Sequence, residues 1–166
     1  MAGYADQVPA QAIDDLVALL RSWARPPDEV ELTPLPPDHL SDALLNPEGP
    51  DPEFPSTTEL YVGVEAVKSA LDAGARVVIA DARVASDYLV EHIAGAVSVP
   101  FFDAGDLAGQ LPEDAWIVTY CACPHAEARA AATALSENGR PQVRVLDEGL
   151  PGWLAAGYPT RSGPEP

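Results

Sequence analysis

Apolar positions are spaced differently in two parts of the chain. Near the start, Ile13, Leu16, Val17, Leu20 and Trp23 recur at helical spacing, with Asp14, Asp15 and Arg21 between them. Pro9 suits a first helical turn and Pro26-Pro27 stops the pattern, so an amphipathic helix is expected over 10–24. Its polar face is not basic, so the apolar stripe is expected to dock on the main domain rather than to bind lipid. From Pro26 to Pro55 the periodicity is lost. PPDEVELTPLPPDHLSDALLNPEGPDPEFP reads as an extended, semi-rigid arm with room for a short helix at 38–45.

From Thr57 short apolar runs alternate with helical patterns. ELYVG, RVVIAD, AVSVPF, DAWIVTY and QVRVLD read as strands. RVVIAD and DAWIVTY are continuous enough to be buried on both faces. Between and after them, VEAVKSALDAG, ASDYLVEH, HAEARAAATALSENG and LPGWLAAG read as helices, the first closed by Gly74 and the third near Gly139. Strand and helix in alternation predict an α/β fold: a central parallel sheet of about five strands with helices on both faces. The expected organisation is an acidic, proline-rich extension over 1–55 and one domain over 56–162, with the functional site at the carboxyl ends of the strands.

Charge refines this picture. The 166 residues carry a formal net charge of −17, and ten of the 18 prolines lie in the first 55 residues. That stretch has 11 acids and two bases. The acidity argues against nucleic acid or an anionic membrane as partner, since both require a cationic face. No apolar run is long enough to span a bilayer, so no membrane insertion is expected. The first residues lack a basic and apolar leader pattern, so a cytoplasmic location is expected; after removal of a leader it would be periplasmic or lipid-anchored.

Only two cysteines occur, Cys121 and Cys123, and they cannot staple a fold of this size. In WIVTY-CACPHA-EARAAATAL, Cys121 directly follows a buried strand and precedes a helix. Loop amides and a helix N-terminus there stabilise a thiolate, which is the nucleophilic form. The alternative is a structural cysteine buried at a strand end. Cys121, Cys123 and His125 also alternate as three soft ligands, but no fourth is evident nearby, so no metal and no cofactor is expected. A strained, reducible Cys121–Cys123 disulfide is a further redox reading.

Several segments resemble the rhodanese-like domain family. DARVASDYLVEHIAGAVSVPF (81–101) is similar to its Asp-x-Arg and His-Ile-x-Gly-Ala signature. VTYC (118–121) is similar to the strand leading to the catalytic cysteine, and LDEGLPGWLAAGYP (146–159) to the Gly-Leu-x-x-Trp C-terminal signature. The likeness covers 57–161, and the first 55 residues have no part in it. It implies a sulfurtransferase or sulfane-sulfur carrier. Its cysteine takes sulfur from a small donor as a persulfide and passes it to a thiol or protein acceptor.

By position Cys121 matches the nucleophile, with Cys123 as alternate nucleophile or resolving thiol. Ala122, Pro124, Ala126 and Glu127 would then line the substrate cradle, with His125 and Arg129 tuning its charge. His125 could lower the pKa of a neighbouring thiolate or shuttle a proton; capping the helix or facing solvent are the alternatives. Asp81, Arg83 and His92 would support the sheet end.

The loop departs from the common pattern, having no glycine and no base before Arg129. A doubly charged anion such as thiosulfate suits it poorly; persulfides or polysulfides suit it better. Two other readings remain. One is a non-catalytic binding or regulatory module. The other is a phosphatase or arsenate reductase built on Cys123-x5-Arg129, since that spacing also belongs to dual-specificity phosphatases sharing the rhodanese fold.

Overall fold

A computed structural model describes residues 10–23, 35–36, 38–54, 59–122 and 124–166. Of the expectations above, those resting on 24–34, on 55–58 and on Cys123 lie outside the described residues. The chain divides into two units, one ending at Glu31 and the other running from Leu32 to Pro166. The first contains helix α1 (Ala10–Trp23), where the 3.6-residue spacing placed it.

The second unit is an α/β domain. Its strands are β1 (Tyr61–Val62), β2 (Val77–Asp81), β4 (Ala96–Ser98), β5 (Trp116–Tyr120) and β6 (Val143–Leu146). They form one parallel sheet in the order β1-β6-β5-β2-β4. β2 lies inside, with Val78 opposite Ile117 and Ala80 opposite Val97. Every residue of β2 is buried, which is why this strand reads as an unbroken apolar run. A small antiparallel pair, β3 (His92–Ile93) with β7 (Thr160–Arg161), closes one side.

The pleat sends alternate residues to opposite faces, and each face has its own helices. Val78, Ala80, Ile117, Val143 and Val145 pack with α4 (Ala104–Leu107) and α5 (Ala126–Glu137). Val77, Ile79, Val118, Tyr120 and Leu146 pack with α2 (Val64–Asp72), α3 (Ala85–Val90) and α6 (Gly149–Ala155). Trp153 of α6 is 1% exposed, and its indole N–H donates to the Pro159 carbonyl at 3.0 Å.

The domain starts earlier than the periodicity suggests. Leu40 and Ala43 are buried in the α4–α5 face of the core. Leu45 exchanges backbone hydrogen bonds with Val77 at 3.0 and 3.3 Å, extending the sheet at the amino end of β2. His39 places Nε2 3.0 Å from the Ser98 carbonyl and Nδ1 3.0 Å from that of Pro36. The stretch expected as an irregular arm thus covers core surface. Burying Leu40 alone contributes about 2 kcal/mol. Residues 38–42 form successive turns rather than a regular helix. Among the described residues, no helix is long and apolar enough to cross a membrane.

Candidate active site

Because all five strands of the main sheet run parallel, their carboxyl ends share one edge. Cys121 leaves β5 at that edge and is 1% exposed. Its carbonyl accepts the Leu150 N–H at 3.0 Å. Gly149, at φ +58°, passes so close that a Cβ there would lie 2.5 Å from the Cys121 oxygen. The turn from β6 into α6 therefore clamps the start of the cysteine loop, and only glycine allows the approach.

The preceding residue is anchored as well. The Tyr120 hydroxyl accepts the Ile93 N–H at 3.1 Å. Burial pushes its phenol well above the usual range, and the charge of Asp81, to which it also hydrogen-bonds, adds to the effect. Asp81 is fully buried. Its Oδ1 accepts the Arg83 backbone N–H at 3.0 Å and Nε–H at 2.9 Å, and its Oδ2 accepts Nη2–H at 2.6 Å. Nη2 also donates to the Glu91 carbonyl at 2.6 Å. Burial opposes the guanidinium charge, but the hydrogen bond and charge of Asp81 outweigh it, and the Arg83 pKa is held above its usual value. These two residues hold the sheet end beneath the loop through Tyr120.

His92 is fully buried and lies within this support. Its ring stacks on Tyr88 at 3.9 Å, with Nδ1 2.8 Å from the Tyr88 carbonyl and Nε2 2.9 Å from that of Glu165. It ties α3 to the C-terminal segment.

The far end of the loop is His125, the residue preceding α5. It adopts the left-handed conformation, φ +66°, and its carbonyl accepts the Arg129 N–H at 2.7 Å. A non-glycine residue rarely holds this conformation without support. Here the support comes from the ring. Nε2 lies 2.6 Å from the Asp147 carbonyl oxygen and 3.0 Å from its Oδ1, and the ring sits 4.7 Å from that of Tyr61.

Glu148 completes the turn by accepting the Val64 N–H at 3.0 Å, capping α2 from a distant part of the chain. Ala122, Pro124, His125, Asp147, Glu148 and Pro151 line an open cavity of about 260 Å³ beside the loop. Two of these six residues are carboxylates, and none is lysine or arginine.

The remaining candidates divide between loop and helix. Ala126 opens α5, and Glu127 lies in its first turn, where a carboxylate suits the helix dipole. Arg129 is exposed and lines a shallow groove along α5 with Ala130, Thr133 and Glu137. Among the described residues, no cluster of three or more histidine, cysteine or acidic side chains forms a metal site. Tyr61, Tyr120, Asp147, Glu148 and Gly149 had no assigned role in the sequence reading. Asp147 to Gly149 do fall inside the quoted LDEGL segment, which was the available signal.

Comparison with known proteins agrees with this geometry. Residues 63–156 match the rhodanese-like domain family. The chain is 29% identical to the solved rhodanese-like domain of the Anabaena sp. Alr3790 protein, with a TM-score of 0.58, over 64% of this chain and 82% of that one. It is 25% identical to thiosulfate sulfurtransferase from Pseudomonas aeruginosa, with a TM-score of 0.54, over 77% of this chain and 22% of that one. Among curated proteins it is 30% identical over 87 residues to the HTH-type transcriptional regulator Rv0324 of Mycobacterium tuberculosis, covering 52% of this chain and 38% of that regulator. With more than half its length matched, and with this sheet order and cysteine position, the chain belongs to the rhodanese-like domain family.

Proposed function

We propose that the protein is a sulfane-sulfur carrier in which Cys121 is the nucleophile. The observation that carries this reading is the position of Cys121. It sits at the carboxyl end of central strand β5, at the head of a short loop that runs into the N-terminus of α5. Helix N-terminal amides and the dipole favour an anion there, which is what a reactive thiolate and a persulfide both require. Clamping of Cys121 by Gly149 and Leu150 holds the backbone in one place between loading and discharge.

Thiolate attack on the outer sulfur of a donor persulfide forms Cys121–S–SH and releases the donor as a thiolate. An acceptor thiolate then takes the outer sulfur and regenerates Cys121. Cys123 is the alternate or resolving thiol in this scheme.

Substrate charge follows from the cavity. Asp147 and Glu148 line its wall, so a divalent anion meets repulsion where a thiol persulfide of low charge does not. Thiosulfate is therefore expected to be a poor donor. The outward groove position of Arg129 counts against a phosphatase built on Cys123 and Arg129.

The test is single-turnover loading. The protein is mixed with an alkyl persulfide or with thiosulfate at equal concentration, and the mass gain of one sulfur atom is followed. Faster loading by the alkyl persulfide is expected; equal or faster loading by thiosulfate overturns the charge argument.

A second reading is favoured by similarity to part of a transcriptional regulator. In it, the fold serves as a binding or regulatory module and the cysteines are dispensable. Full cellular function in a Cys121→Ser, Cys123→Ser double variant would support that reading over the enzyme.

A further inference from the structure

His125 occupies an unusual place for a loop residue. Its backbone is left-handed, its ring lies against Tyr61, and one ring nitrogen meets two oxygens of the same distant residue, Asp147. Two acceptors on Nε2 assign the proton to that nitrogen and leave Nδ1 as the basic atom of the neutral ring. An imidazole oriented by a carboxylate, with its other nitrogen basic, is the arrangement that general acid–base catalysis uses. The ring also lines the cavity that contains the loop residues Ala122 and Pro124.

We infer that His125 and Asp147 form a proton-handling dyad for sulfur transfer, with Asp147 as the positioning residue and His125 exchanging protons with the sulfur donor and acceptor. The inference rests on sulfur transfer at Cys121. In loading, the Cys121 thiolate attacks the outer sulfur of R–S–SH. The new S–S bond forms as the donor's own S–S bond breaks, and the released RS⁻ takes a proton from the His125 imidazolium. In discharge, neutral His125 takes the proton of an acceptor thiol R′SH. R′S⁻ then attacks the outer sulfur of Cys121–S–SH, giving R′S–SH and the Cys121 thiolate. The ring returns to imidazolium and the cycle closes. Its net change is R–S–SH plus R′SH giving RSH plus R′S–SH, with no outside oxidant or reductant.

The groups beside the ring come from two directions, Tyr61 from β1 and Asp147 and Glu148 from the β6–α6 turn, and Glu127 is the acidic residue in the first turn of α5. Three of these four residues are carboxylates and none is cationic. Asp147 falls inside the quoted LDEGL segment, but that motif does not pair it with His125. It meets His125 only because β5 and β6 are parallel neighbours that end at the same edge.

The experiment uses the full chain loaded with inorganic polysulfide, desalted, and discharged to 2-mercaptoethanol at a series of pH values. Asp147→Asn keeps a side-chain acceptor and the backbone carbonyl but removes the charge. His125→Asn removes the titrating ring but keeps a residue that tolerates the left-handed corner. Thermal melting confirms that both variants fold.

The inference expects the pH dependence of discharge to change shape in Asp147→Asn relative to wild type. It expects discharge by His125→Asn to fall about 100-fold and to follow only the ionisation of the acceptor. Profiles that superpose on wild type, or a loss of rate with the shape unchanged, overturn the dyad while leaving sulfur transfer intact. A wild-type protein that never gains sulfur instead overturns the reading on which the dyad rests.

Discussion

Replacing Gly149 with alanine tests the clamp on the cysteine loop. At φ +58° an alanine bears a left-handed strain of about 1–2 kcal/mol. Its Cβ would also lie 2.5 Å from the Cys121 carbonyl oxygen, so that oxygen must move. Moving it lengthens the Leu150 N–H bond to Cys121, now 3.0 Å, at a further cost of about 1 kcal/mol. The sum is about 2–3 kcal/mol. Gly74 provides the control. It has φ +72°, and nothing lies within 4 Å of a Cβ built on it, so Gly74→Ala incurs the backbone strain alone.

Urea unfolding of both variants isolates the steric part as the difference between them, expected at about 1 kcal/mol or more. The displaced carbonyl belongs to the proposed nucleophile, so sulfur loading should slow in Gly149→Ala and stay at the wild-type rate in Gly74→Ala. Equal stability losses together with equal loading rates would refute the clamp.

Other predictions follow from the same geometry. Asp81→Ala removes the partner of a buried guanidinium and should cost about 3–5 kcal/mol in urea unfolding. Leu40→Ala should cost about 2–5 kcal/mol if residues 38–45 are part of the core, and a loss under 0.5 kcal/mol would remove them from it.

Tyr88 and Tyr120 both have phenols raised above the usual value, chiefly by burial. Each stays neutral in the folded state while the unfolded chain ionises. Their contribution is therefore complete below about pH 10 and is lost as the pH rises further, by up to about 1.4 kcal/mol per pH unit for each group. Stability measured between pH 9 and 12 should fall less steeply in Tyr120→Phe than in the wild type.

Much of the domain was legible in the sequence because each strand announces itself locally. RVVIAD and DAWIVTY are apolar on both faces because helices cover both sides of the sheet, and the alternation of strands and helices implies parallel pairing. The cysteine's position was legible for the same reason, since a buried strand running into a helix leaves its connecting loop at the carboxyl edge.

The parts that were hidden depend on contacts between distant segments. Asp147 meets His125 across 22 positions, and Glu148 caps α2 across 84. Neither pairing has a periodic signature. The domain start was hidden too. Between the prolines, Leu40 and Ala43 supply only one helical-spaced pair, too little to distinguish a core segment from an exposed arm. His92, read as a support residue, has both ring nitrogens on carbonyl oxygens, an arrangement that spacing alone does not reveal.

The central claim is that sulfur is carried on Cys121. Its most direct test is intact-mass measurement after exposure to polysulfide, on wild type, Cys121→Ser and Cys123→Ser, with the modified residue located by peptide mapping. Sulfur gained by wild type and Cys123→Ser but not by Cys121→Ser is the predicted result. Sulfur retained in Cys121→Ser and lost in Cys123→Ser would contradict it and move the nucleophile two residues along the loop.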